Sequence, residues 1–200
     1  MSSKKQSSGS KFTMSDYNSN DGMMTSIFGP ATWHLLHCMS FNYPENPTEC
    51  EKRDYMGFVL SLKNILPCGK CRTNLEKNFI KLPLSMKEMK SRETFSRYIY
   101  GLHEVVNDML GKKSGLTYAM VRETYEHFRA RCVKDPTTEV GCVVPLQGKK
   151  TKCILRIVPQ SKKCKTFSVE SNSRSVSRFR RKPLISATNV AKNKSRRKKD

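Results

Sequence analysis

The chain is 200 residues long, room for one domain with appendages. Its 38 Lys and Arg against 17 Asp and Glu give a net charge of +21, but the excess is local: Lys149 to Asp200 holds 18 basic and 2 acidic residues, so the first 148 residues are only mildly basic. No stretch approaches the roughly 18 apolar residues of a membrane span, the Ser- and Lys-rich start lacks the apolar run of a secretory signal, and eight cysteines at this length do not demand a disulfide scaffold.

Residues 1–26 are polar and cannot bury a core, so this segment is expected to be disordered. A first helix starts at Phe28-Gly29-Pro30 and carries Trp33, Leu36, His37 and Ser40 on one face, ending at Asn42-Tyr43-Pro44. Thr48-x-x-Glu51 reads as a capping box for a second helix. Its stripe is Tyr55, Phe58, Val59, Leu62, Ile65 and Leu66, and Pro67 stops it. A third opens at Cys68 and ends at Pro83. Ser91 caps a fourth, whose apolar stripe runs from Phe95 to Leu110 and closes at Gly111. A fifth is expected from Thr117 to about Arg131. These stripes predict an all-α fold, a small helical bundle. Beyond Cys132, Val140–Pro145 and Cys153–Val158 read as a hairpin-like extension over 132–168. Residues 169–200 are expected to be a disordered basic tail.

The chemistry concentrates at Cys68-Gly69-Lys70-Cys71. At a helix start, unpaired N–H groups and the positive dipole end stabilise a thiolate. A thiolate is the nucleophile of thiol–disulfide exchange, so the tetrapeptide points to redox chemistry. The alternative is half of a zinc site, completed by distant cysteines such as Cys132 and Cys142. Upstream, Trp33 and His37 lie one turn apart on one helix face; downstream, His103 and Asn107 do the same. Aromatic and imidazole groups beside a dithiol suit a planar cofactor held by stacking and hydrogen bonds.

The ordered set is more specific than its parts. Gly29-x-x-x-Trp33-x-x-Leu36-His37, Tyr43-Pro44, Pro67-Cys68-x-x-Cys71, Arg92-x-x-Phe95 and His103-x-x-Val106-Asn107-x-x-Leu110-Gly111-Lys112 resembles the Erv/ALR family of FAD-linked sulfhydryl oxidases, in particular the branch carried by large DNA viruses. The resemblance covers about residues 27–131. It implies a four-helix bundle with a short fifth helix, often homodimeric, that binds FAD, converts protein dithiols to disulfides and passes the electrons to oxygen, giving hydrogen peroxide. It further implies that Cys68 is the interchange sulfur and Cys71 the one facing the flavin. Gly29, Trp33 and His37 would pack against the cofactor, and His103, Asn107 and Lys112 would hold its adenine and phosphate side. Leu66, Tyr98 and Glu104 stand where the family commonly has an aromatic residue, Trp and Asn. By the same analogy the protein would work in the virion or the host cytoplasm, or alternatively in the mitochondrial intermembrane space.

Cys132 with Cys142 and Cys153 with Cys164 are candidate structural or shuttle disulfides, with the pairing open. The tail blocks Arg178–Lys182 and Lys192–Lys199 suit nonspecific, salt-dependent contact with nucleic acid. The rival to the oxidase is therefore a basic nucleic-acid-binding or virion structural protein with a structural C-x-x-C. No membrane contact is expected.

Overall fold

The computed structural model describes residues 12–133, 141–150 and 153. The chain divides into two units, 1–166 and 167–200; every described residue belongs to the first. The basic tail and Cys164 lie outside the described residues. Among the described residues, no helix is long and apolar enough to cross a membrane.

The helices begin where local chemistry satisfies their first N–H groups. A short helix, α1 (Met14–Tyr17), is capped by Thr13, with Asp16 completing the capping box. The Thr48/Glu51 box opens α3 (Glu49–Ile65) as expected, with Thr48 Oγ1 accepting from Glu51 N–H at 3.2 Å and Glu51 Oε2 accepting from Thr48 N–H at 2.7 Å. Ser91 caps α5 (Arg92–Met109), and Gly111 follows its end at φ +66°, a left-handed conformation that glycine adopts without a Cβ penalty. Between them, α2 spans Thr25–Phe41 and α4 Gly69–Lys81. The start of α2 precedes the expected Phe28, so Pro30 sits inside the helix rather than in its first turn. Its missing N–H costs one ladder bond.

The bundle is α2, α3, α4 and α5, with α6 (Tyr118–Glu126) packed against α2 and α5. Its core joins Leu36, Tyr43, Val59, Leu62, Leu75, Met89, Phe95, Tyr98, Ile99 and Leu102. The two buried phenols are satisfied: Tyr43 Oη donates to Met89 O at 2.9 Å and Tyr98 Oη to Leu82 O at 3.0 Å. Ile65, expected on the core stripe of α3, is 64% exposed at the helix end.

The fifth helix is shorter than its periodicity predicts. It ends at Glu126, and Ala130–Val133 forms a strand, β1, paired antiparallel with β2 (Gly141–Pro145). The ladder recruits residues that helical spacing would have kept. Arg129 pins the junction: its guanidinium binds both carboxylate oxygens of Glu126 and donates to Phe41 O at 2.8 Å. β2 thus pairs with the end of the bundle segment. The segment after Cys153, expected to be the second arm of the hairpin-like extension, lies outside the described residues.

Candidate functional site

Cys68 closes α3's exit and caps α4. Its backbone is extended (φ −159°, ψ 112°) and its Sγ accepts the Cys71 N–H at 3.2 Å. Cys68 and Cys71 are joined by a disulfide, their Cα atoms 5.2 Å apart. Both are half-buried. Each sulfur therefore has the other as its partner, which is not the arrangement of a zinc half-site. The corner before the motif is tightly held. Leu66 O accepts from Cys68 N–H at 2.8 Å and from the Arg72 guanidinium at 2.6 Å. The motif stands at the positive end of a thirteen-residue helix, where a sulfur that accepts a backbone N–H is also stabilised as a thiolate.

The second half of the site is an aromatic and imidazole cluster between α2 and α5. Trp33 and His103 stack with ring centroids 4.0 Å apart and 5° between planes. His37 Nε2 lies 3.0 Å from His103 Nδ1, and its ring continues into Phe41 and Tyr125. A hydrogen bond between two imidazoles needs an unprotonated acceptor nitrogen, so at least one of the two rings is neutral. The environment agrees. Burial, then the neighbouring His103 and His34, drives the His37 pKa down to about 3. Burial also lowers His103, with Lys112 adding to it and Glu104 opposing. His37 is 4% exposed, and its Nδ1 has no hydrogen-bond partner.

The expected site residues thus fall into two groups. Trp33, His37 and His103 form one contact cluster. Gly29 lies one turn before Trp33 on α2, with nothing within 4 Å of where a Cβ would project. Asn107 lies one turn beyond His103, but its amide donates to Glu104 Oε1 at 2.9 Å. Lys112 is exposed just past α5, its N–H bonded to Asn107 O at 2.8 Å. Sequence reasoning separated Trp33 and His37 from His103; here the indole face lies on the His103 ring. It also missed Tyr125, whose Oη is 3.2 Å from His34 Nδ1 and whose ring packs on His37. Its only signal in the sequence is helical apolar spacing with Met120, Val121 and Phe128 in the fifth helix. Asn78, 2% exposed on α4, was missed as well; it follows Cys71 by two turns on one helix face.

Of the other cysteines, the register sets Cys132 opposite Cys142, and Cys142 is disulfide-bonded. Cys153, one of the candidate disulfide or shuttle cysteines, carries a free and exposed thiol. Cys38 is a half-buried free thiol 3.8 Å from His34, its pKa raised by burial and then by Cys153.

Fold and site define a class: a helical bundle with a C-x-x-C disulfide capping one helix and a buried imidazole–indole cluster between two others. The chain belongs to the Erv1/Alr family, whose profile matches residues 30–136. It is similar to a protein of Acanthamoeba polyphaga mimivirus named a probable FAD-linked sulfhydryl oxidase, 40% identical over 47% of this chain and 65% of that one. A Schizosaccharomyces pombe protein named a mitochondrial FAD-linked sulfhydryl oxidase is 34% identical over 42% of this chain and 46% of its own length. An African swine fever virus protein named an FAD-linked sulfhydryl oxidase is 27% identical over 50% of this chain and 80% of its own. The chain therefore spans less than two thirds of the length of the first two relatives. A crystal structure of the FAD-binding domain of Erv1 from Saccharomyces cerevisiae aligns with a TM-score of 0.47 and 26% identity, over 52% of this chain and 94% of that one.

Proposed function

We propose that this protein is an FAD-linked thiol oxidase acting through residues 27–131, with protein dithiols as substrates, oxygen as terminal acceptor and hydrogen peroxide as product. The observation that carries this reading is the Cys68–Cys71 disulfide at the N-terminus of α4, in a chain of the Erv1/Alr family.

In this reading the exchange runs through that disulfide, with Cys68 as the interchange sulfur. A substrate thiolate attacks Cys68 Sγ, forming a mixed disulfide and breaking the Cys68–Cys71 bond, and Cys71 leaves as a thiolate. The second substrate thiolate attacks the substrate's own sulfur in that mixed disulfide. It releases Cys68 as a thiolate that the Cys71 N–H stabilises. The substrate has lost two electrons and two protons; Cys68 and Cys71 hold the electrons, and the protons pass to solvent or to the thiolates.

The residues of the cluster fit FAD. A buried imidazole nitrogen without a partner, an indole plane, open space beside Gly29 and a cation at Lys112 match a planar heteroaromatic group with hydrogen-bonding edges and phosphates. When bound, FAD supplies the two-electron acceptor chemistry that returns the dithiol to a disulfide. In this reading Trp33 and His37 bind and orient the ring system and exclude water. His103, Asn107 and Lys112 hold the adenine and phosphate side, for which Asn107 exchanges its bond to Glu104. The reading includes a homodimer and, by analogy with the viral relatives, a location in the virion or host cytoplasm. The test is oxygen uptake on addition of a dithiol. It is expected from the wild-type protein and absent from Cys71→Ser; uptake that survives in Cys71→Ser refutes the assignment.

A further inference from the structure

We propose that Gly22 and Met23 are positioning residues for Cys68, a backbone clamp that holds its sulfur at the α4 N-terminus. This rests on reading Cys68–Cys71 as the redox pair.

Composition gives residues 12–24 no reason to be ordered. The structure agrees about their side chains: Phe12, Met14, Tyr17, Met23 and Met24 are all at least 67% exposed, and no residue of α1 is buried. The segment does not join the core. It nevertheless lies close against the backbone of the redox motif. Met23 N–H donates to Pro67 O at 2.7 Å across forty-four residues of sequence. Beside it, a Cβ on Gly22 would lie 2.9 Å from Pro67 O and 3.2 Å from Cys68 Cα. At every other described glycine the nearest such atom is 3.5 Å away or more. The position thus requires a glycine, because the strap lies directly against the Cys68 backbone.

The contact completes the hold on the corner. Arg72 and the Cys68 N–H bind Leu66 O, Met23 binds Pro67 O, and Gly22 backs the Cys68 Cα. With that peptide fixed, Cys68 Sγ remains within reach of the Cys71 N–H. After reduction the same bond becomes charge-assisted and stabilises the thiolate, which lowers the thiol pKa and favours the reduced pair. A relaxed corner weakens the bond, raising the pKa and favouring the disulfide.

The test compares full-length wild type, Gly22→Ala and Met23→Pro, which removes the N–H, with Gly57→Ala as a control on an open helix surface. Two quantities are read: the equilibrium of the Cys68–Cys71 pair with reduced and oxidised glutathione, and the pH profile of Cys68 alkylation, followed by mass spectrometry of the Cys68 peptide. Both clamp variants are expected to move the alkylation midpoint upward and shift the equilibrium toward disulfide, about tenfold for each unit of thiol pKa. The control keeps the wild-type values. If Gly22→Ala does not fold, Met23→Pro decides. Wild-type values in the clamp variants overturn the proposal alone. A wild-type pair inert to glutathione overturns the redox reading and this proposal with it.

Discussion

Acid should weaken the fold through the His37–His103 pair. In the unfolded chain His37 titrates near its ordinary value of 6.5, whereas in the bundle it is held down to about 3. The unfolded state therefore binds the proton first as pH falls. The stabilising contribution is complete above 6.5 and is lost progressively from there down to about 3. One such group gives a slope of about 1.4 kcal/mol per pH unit within that window, or about 2 kcal/mol lost between pH 7 and pH 5. The groups around the ring act in the same direction or only partly oppose it. His34 on its own helix and His103 on α5 repel a second positive charge, while Glu104 and Lys112 act on His103 with opposite signs. Urea unfolding at pH 7, 6 and 5 measures the slope. In His37→Gln, which keeps a polar group but cannot titrate there, the loss between pH 7 and 5 is expected to shrink by about 2 kcal/mol. Equal pH dependence in wild type and variant would refute the buried neutral imidazole.

Three further outcomes follow from named contacts. Trp33→Ala removes the plane stacked on His103 and is expected to lower the FAD retained on purification, read from the visible spectrum against protein concentration. Phe95, 1% exposed and packed between Tyr43 and Tyr55, should cost about 3–5 kcal/mol on truncation to Ala, seen as a lower urea midpoint. Gly57→Ala, in α3 with nothing near its Cβ position, should raise stability by about 0.5–1 kcal/mol through the helix propensity difference.

What sequence revealed here was local. The capping box at Thr48, the cap at Ser91, the stop at Pro67 and the C-x-x-C at a helix start depend on residues within one turn of each other. Their spacing therefore specified them. The elements that escaped depend on pairing across the chain. Periodicity carried the fifth helix to Arg131, but backbone hydrogen bonding with β2 drew Ala130–Val133 into a strand. Composition predicted no order near residue 22, because a glycine fitted against a distant carbonyl leaves no compositional trace. Trp33, His37, His103 and Asn107 were all marked as site residues through the family motif. That Trp33 would lie on His103 is a tertiary fact outside any i, i+4 pattern, whereas the bond from Asn107 to Glu104 is an i, i+3 contact within α5 that competes with the role the motif implied.

The most direct test of the oxidase reading is the visible absorption spectrum of the purified protein, taken before and after anaerobic dithiothreitol and again after air. The account predicts a yellow protein whose flavin bands bleach with the dithiol and return with oxygen in wild type, and do not bleach at the wild-type rate in Cys71→Ser. A colourless protein that cannot be reconstituted with FAD would contradict it.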